Sequence, residues 1–262
     1  MDLLVREPFE VYQAKKREYL TSHQLADFRK CPQLYHQKKL GLIDDEDRPA
    51  YLIGRAAHTF ILEGRERFEK EFIVGGPINP RTGSPFGPTT KAWSEWAEAQ
   101  NRHVLTDSQF ELISRLDASV HAHPIAGALL RHGVAEGVAR ADYCGMPCQI
   151  RIDWFHPERG IVDLKTCDDL TWFEADARRF GYVHQLAFYR AVLAQLTHHV
   201  SPVHFIAVEK KAPFRCGVWQ VQPDAIDVAQ ADNEAAIARL QRCQVAGVWE
   251  TGYETVRFFD GV

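Results

Sequence analysis

The chain has 262 residues, 45% of them hydrophobic and 25% charged, the balance of a globular protein, which excludes a disordered, collagen-like or coiled-coil chain. Its 31 basic and 35 acidic residues leave a net charge of −4; this excludes a surface uniformly positive toward nucleic acid, but not a local basic groove beside an acidic centre. Apolar runs fall short of the roughly 20 residues of a membrane span, and Asp2, Arg6, Glu7 and Glu10 do not belong in a secretion signal, so a soluble, cytoplasmic protein is expected.

In chain order, residues 1–20 read as a polar lead-in poor in strands. A helix capped by Thr21 or Ser22 runs to about Lys39 on the recurrence of Leu25, Phe28 and Leu34 or Tyr35, with Pro32 placed to split it. Asp44, Asp45, Glu46 and Asp47 form an acidic loop. A second helix spans about Tyr51 to Glu63 and stops at Gly64, and Gly75 to Pro88 is a Gly/Pro-rich loop. Helices at about 90–101 and 106–121 complete a mainly helical part, 1–130.

The pattern then changes. Strands are expected at Glu136 to Asp142, Cys148 to Phe155 and Gly160 to Lys165, the first two joined by a turn at Gly145 to Pro147. A helix from about Glu174 to Leu196, strands at 203–208 and 217–221, and a last helix from Pro223 or Asp224 to about Val245 complete a β-β-β-α-β core, 131–262. A parallel strand pair joined through the long helix would cross over right-handed. The whole reads as one domain of mixed α/β class. The six cysteines (31, 144, 148, 167, 216 and 243) are expected to be reduced. Cys144 and Cys148 flank a hairpin turn, and no other pair supplies the remaining ligands of a zinc site.

The chemistry concentrates in Gln149-Ile-Arg151-Ile-Asp153 and Ile161-Val-Asp163-Leu164-Lys165. Strand alternation puts Asp163 and Lys165 on one face with Val162 and Leu164 toward the core, and Arg151 and Asp153 opposite Ile150 and Ile152. If the strands are antiparallel neighbours, the two aspartates approach each other. Paired carboxylates repel unless a cation lies between them, and hard oxygen ligands suit Mg²⁺ or Mn²⁺. The Leu164 carbonyl could add a third oxygen. Lys165, its pKa depressed by burial and metal, could orient or deprotonate a water or stabilise the reacting phosphate. Either acid alone could equally face solvent. Gln185 and Tyr189, four apart on the following helix, can hydrogen-bond a phosphate or stack on a base, although such a pair is also ordinary helix surface. Gly54-Arg-Ala-Ala-His58 presents one imidazole; a lone helical histidine is usually structural, though neutral imidazole is also a common metal ligand.

The order of these pieces resembles the PD-(D/E)xK nuclease superfamily, and within it the exonuclease VIII (RecE-type) nuclease domain. The resemblance runs from about Leu20 to Tyr253. It is carried by Ser22-x-x-Leu25-x-x-Phe28-x-x-Cys31-Pro32-x-x-Tyr35, Gly54-x-x-x-His58, Glu136, Arg151-x-Asp153, Asp163-x-Lys165, Gln185-x-x-x-Tyr189, Val208-Glu-Lys-Lys-Ala-Pro-Phe and Gly247-Val-Trp249-x-x-Gly252-Tyr253. Ile152 stands where the name motif has proline. The resemblance implies a mixed central sheet flanked by helices, with a helical N-terminal half. It implies that Asp153, Asp163 and His58 ligate metal, that Lys165 assists the attacking water, that Gln185 and Tyr189 position the scissile strand, and that Glu136 contacts a second metal or a water. Cluster-bearing relatives use an early Cys and three late ones; here only Cys216 and Cys243 follow the core, so no iron–sulfur cluster is expected.

The implied activity is Mg²⁺-dependent 5′ to 3′ hydrolysis of duplex DNA from its ends, in phage-type recombination. The implied partners are a single-strand annealing protein and further copies of the chain, in a ring of three or four. Alternatives are an endonuclease or single-strand nuclease on the same core, a non-catalytic DNA-binding relative, and a metallohydrolase of another substrate class. Residues 1–40 hold eight basic against five acidic residues, and 209–215 hold three against one. Lys15, Lys16, Arg17, Arg151, Lys210 and Lys211 are therefore expected to track the DNA backbone.

Overall fold

The computed structural model describes residues 4–44 and 49–259. Its centre is a five-stranded sheet of β3 (Val134–Tyr143), β4 (Met146–His156), β5 (Gly160–Cys167), β6 (Val203–Glu209) and β7 (Cys216–Gln220), lying in that order. A small parallel pair, β1 (Phe72–Val74) and β2 (His103–Leu105), belongs to the helical half. Strands β3, β4 and β5 form an antiparallel meander. Between β5 and β6 the chain crosses over through α9 (Phe173–Arg179) and α10 (Tyr182–Thr197), and those two strands run parallel. This is a mixed α/β fold with a mixed central sheet flanked by helices, as expected.

The lead-in is built onto the sheet. It contains α1 (Phe9–Ala14) and a 3₁₀ turn at Lys15–Arg17, and it bridges to β3 at Val5–Val138 and to β4 at Leu20–Cys148. Thr21 and Gln24 close a reciprocal capping box that starts α2 (Ser22–Lys30). Cys31 in extended conformation and Pro32 at the first helical position end it and open α3 (Pro32–Lys39), so the proline splits the helix. Helix α4 (Pro49–His58) continues into a π-helical turn, Thr59–Glu63, which Gly64 ends at φ 82°. Of the acidic loop, Asp45, Glu46 and Asp47 lie outside the described residues. Then follow α5 (Arg65–Glu71), α6 (Lys91–Glu98), α7 (Asp107–Ala122) with a Thr106–Gln109 capping box, and α8 (Pro124–Leu129). Helices α5 and α8 and strands β1 and β2 are not expected from the sequence, because each is too short to show a period. Helix α11 (Pro223–Ala246) ends the core.

Two differences follow from glycines. The hairpin turn between β3 and β4 is Cys144–Gly145, both at positive φ, rather than Gly145–Pro147; Pro147 already lies in β4 opposite Asp142. The expected helix 174–196 is two helices, because Gly181 takes the left-handed conformation between them (φ 69°).

The sheet is covered on both faces. One face packs α2, α10 and α11 around Ile150, Ile152, Ile161, Phe188, Leu193 and Phe205; the other packs α4 and α7 around Trp154, Val162, Leu164 and Ile206. Ile152 and Trp154 are two apart in one strand yet sit in different clusters, as do Ala135 and Ala139. Alternation alone would keep each pair together. The β3–β4 ribbon is therefore kinked where Glu136 and Asp153 face each other, and Glu136 there holds φ at +54°, unusual for a residue with a side chain.

Candidate active site

The β4–β5 ladder has three register pairs, ending at Trp154–Val162. The next positions would be Asp153 and Asp163, and there the strands part. The Leu164 amide donates to Asp153 Oδ2 at 2.9 Å in place of a ladder bond. Into the opening come His58, at the C-terminal end of α4, and Glu136, from the kink in β3. One ligand atom from each of His58, Glu136 and Asp153 lies within 4.8 Å of the others, and His58 Nδ1 is 3.5 Å from Asp153 Oδ2. The Leu164 backbone, named from the sequence for its carbonyl, also hydrogen-bonds His58.

Asp163 stands beside this trio. It was expected on the same face as Lys165, and it is; but that face is covered by α10, and Asp163 is 1% exposed. Lys165 Nζ is 2.6 Å from its Oδ2 as an ion pair, the one positive group that meets this carboxylate among the described residues. Burial pushes the Asp163 carboxyl up to about 6, with the Asp153 charge adding to it. Burial and Asp153 likewise push Glu136 up to about 7, and burial raises Asp153. Burial pushes the His58 imidazole down to about 4, Lys165 working the same way, so the ring is neutral and keeps a lone pair to offer.

These residues fit a divalent cation. Three desolvated carboxylates face a neutral imidazole, and the nearby positive groups are Lys165, against Asp163, and Arg151, against Glu136. A cation among them would relieve the repulsion that raises the acids.

Lys165 differs from its expected state. Burial acts to lower its pKa, but Asp163 and Asp153 outweigh burial and raise it, so the ammonium persists. Its Nζ donates to Gln185 Oε1 at 3.3 Å and lies 4.8 Å from the centre of the Tyr182 ring. Gln185 Nε2 in turn donates to Tyr189 Oη at 3.0 Å. The expected pair thus meets Lys165, but Tyr189 is buried and its hydroxyl is taken up by Gln185, which leaves it no face for a base. Tyr182 was missed, although Tyr182, Gln185 and Tyr189 share one helical stripe at i, i+3 and i+7. Glu63 was also missed. Its charge acts on Glu136, and burial raises its own pKa. Five residues after His58, an α-helix would turn it away by about 140°; the π turn brings it round.

The basic residues named from the sequence divide into three groups. Arg151 forms an ion pair with Glu136, and its guanidinium lies 5.1 Å from the Phe9 ring centre. It is a half-buried member of the acidic cluster rather than part of an open groove. Lys15, Lys16 and Arg17 form the 3₁₀ turn after α1, where Lys15 is 3.7 Å from Glu7. Lys210 and Lys211 follow the C-terminal end of β6, beside the end of β5 that carries Lys165; Lys210 pairs with Asp168 at 3.0 Å. Among the described residues all six cysteines are free thiols, and Cys31 caps α3 through its sulfur. No helix of the described residues is long and apolar enough to cross a membrane.

Residues 21–260 match a family described as a PDDEXK-like domain of unknown function, DUF3799. No curated protein matches the chain. Among solved structures, the chain resembles a protein from Eubacterium rectale described as a "putative exonuclease", with a TM-score of 0.71 and 18% identity over 97% of this chain and 96% of that one.

Proposed function

As a member of this PDDEXK-like family the chain is a PD-(D/E)xK nuclease, and we propose that its substrate is DNA, from whose duplex ends it removes nucleotides 5′ to 3′ with Mg²⁺ as cofactor. The observation that carries the reading is the parting of β4 and β5 at Asp153 and Asp163, which gathers His58 and Glu136 around the same opening and puts the Lys165 ammonium against Asp163. The exonuclease description of the similar structure supports the mode of action, and the motif order supports the RecE-type branch within the superfamily.

Asp153, Asp163, His58 and Glu136, with the Leu164 carbonyl, would hold the metal. The family uses divalent ions; oxygen-rich ligands favour Mg²⁺, and the imidazole makes Mn²⁺ an effective substitute. Such an ion supplies Lewis acidity and a water acidified enough to attack at neutral pH. The protein's own part is electrostatic and geometric. Lys165 remains charged and neutralises negative charge gathering on the scissile phosphate. Gln185 fixes the Lys165 ammonium through its Oε1 and is itself fixed by Tyr189, so both act on the phosphate by positioning Lys165. Lys210 and Lys211, past the end of β6, and the Lys15–Arg17 turn are proposed to follow the backbone. Assembly into a ring of three or four copies, cooperation with a single-strand annealing protein and a cytoplasmic location belong to the same proposal.

The test is cleavage of 5′-labelled linear duplex, nicked circle, closed circle and single strand, each with Mg²⁺, Mn²⁺ or chelator. The proposal expects metal-dependent release of labelled nucleotide from linear duplex and no cut in closed circles. Cutting of closed circles would make it an endonuclease, and DNA binding without cleavage under any metal a non-catalytic relative.

A further inference from the structure

The connection between the two catalytic elements, from Asp168 after β5 to Gly181 before α10, displays two large aromatic side chains to solvent. Trp172 is 64% exposed and Phe180 is 55% exposed, one at each end of α9. Single exposed apolar residues need no explanation. Phe180 differs because it is joined to the site: its ring stacks on Tyr182 at 5.8 Å and 28°, and Tyr182 in turn meets the Lys165 ammonium beside Asp163. A continuous row therefore leads from the carboxylates through Lys165 and Tyr182 to the half-exposed Phe180 ring. The opposite, buried side of α9 is held by Phe173, which packs on Trp219 at 4.5 Å and on Phe205 at 5.7 Å.

Basic side chains border this face, among acids that are mostly paired. Of the four acids of the connection, Asp168 is paired with Lys210 and Asp169 with Arg215, each at 3.0 Å, while Asp176 is half-buried with its charge felt at Tyr182. Arg178 meets the exposed Glu174 only at 4.0 Å, a pairing worth little in water. Arg179 lies over the Phe180 ring with its guanidinium 5.3 Å from the centroid, and Lys211 is exposed at the neighbouring end of β6. A half-exposed aromatic ring with a mobile, exposed arginine over it, continuous with a phosphodiester-cleaving centre, is a combination that holds unpaired nucleotides by stacking once the arginine swings to the phosphate, with little regard to sequence.

We propose that Phe180, with Trp172 at the far end of the same helix, is a stacking platform for unpaired bases of the strand entering or leaving the active site. This rests on the nuclease reading and adds to it a single-stranded segment as part of the bound substrate. The surface takes bases rather than duplex, because a paired base hides its faces in the stack.

The experiment measures binding of the full chain, with chelator present to prevent cleavage, to a duplex bearing an eight-nucleotide single-stranded tail and to the same duplex with blunt ends. Phe180→Leu and Trp172→Leu keep the apolar character and remove the ring, and thermal melts check that both variants fold. The expected result is binding of tailed DNA weakened on the order of ten-fold by each substitution, with blunt duplex much less affected. A tail of abasic nucleotides should cost the wild type a similar factor and Phe180→Leu little more. Wild-type affinity of both variants for tailed DNA, or equal wild-type affinity for abasic and normal tails, would overturn the platform. In that event wild-type cleavage with Mg²⁺ would leave the nuclease reading standing, whereas failure of the wild type to bind or cleave any DNA would remove both.

Discussion

Strand β5 has two different sides. Toward β6 it stays paired for seven residues, from Ile161–Val203 to Cys167–Glu209. Toward β4 the pairing stops after three, and the next two residues are the aspartates. The paired side holds one strand that carries both Asp163 and Lys165 in place. The unpaired side leaves room for His58 and Glu136 to reach Asp153. Rigidity on one edge and an opening on the other let buried carboxylates gather without the strand itself giving way. Even the amide freed by the opening is satisfied, by Asp153, so the gap does not leave an orphaned backbone donor there.

The largest test of this division is the loss of a group from the open side. Asp163→Ala or Lys165→Ala should lower DNA cleavage by roughly 10³-fold or more, because groups acting as a unit fail together. Near-normal cleavage by purified Asp163→Ala would show that the opening is not where the chemistry happens. The paired side should fail differently. Gly160 starts β5 at φ 79°, and a Cβ there would lie 2.1 Å from the Pro202 carbonyl oxygen. Gly160→Ala should therefore destabilise the fold by about 2–4 kcal/mol, read from denaturant melts, since both the conformation and the close approach oppose a side chain. A neutral result would mean the closed end yields more easily than the register implies.

Stability and function should pull apart at the opening. Asp163 in the folded chain ionises at about 6 rather than 3.8, so its ionisation costs the folded state. The stability tied to the protonated form is fully present below about pH 4 and is lost as pH rises toward about 6. Asp163→Asn removes that cost and also the partner of Lys165, so in the metal-free protein the variant should compare more favourably with the wild type at pH 8 than at pH 4. Melts at the two pH values would reject this if the difference from the wild type were equal at both. If His58 is the ligand proposed from the helical half, His58→Ala should raise the Mg²⁺ concentration for half-maximal cleavage by about ten-fold, with Mn²⁺ restoring part of the activity; an unchanged metal requirement would return His58 to a structural role. The smallest effects belong to the flanking lysines. Replacing Lys210 and Lys211 together, or Lys15, Lys16 and Arg17 together, by Ala should weaken binding several-fold and flatten its salt dependence, the log–log slope falling by about one for each phosphate no longer neutralised. Wild-type affinity and slope in both would place the groove elsewhere.

What the sequence determined alone is local. Helix starts at Thr21 and Thr106, the break at Pro32 and the three strands of the meander follow from capping chemistry, proline's missing amide and the two-residue alternation, none of which needs distant partners. The order His58, Asp153, Asp163-x-Lys165, Gln185-x-x-x-Tyr189 was legible in the same way, as spaced residue types. Only the tertiary structure decided what those residues face. Alternation set Asp163 and Lys165 on one side of β5, but whether that side meets water or helix α10 depends on packing between elements more than a dozen residues apart. The covering helix buries Asp163 and engages the Tyr189 hydroxyl with Gln185, and Lys165 stays charged against that burial because Asp163 and Asp153 outweigh it. The kink at Glu136 is likewise invisible in a pattern of period two, because a positive φ there is held by its surroundings rather than favoured by glutamate. Glu63 enters through a π turn that no α-helical wheel contains. Residue types and spacing carry the chemistry that is available; burial and the direction of each side chain, which come only from the closed fold, decide the charge each group holds.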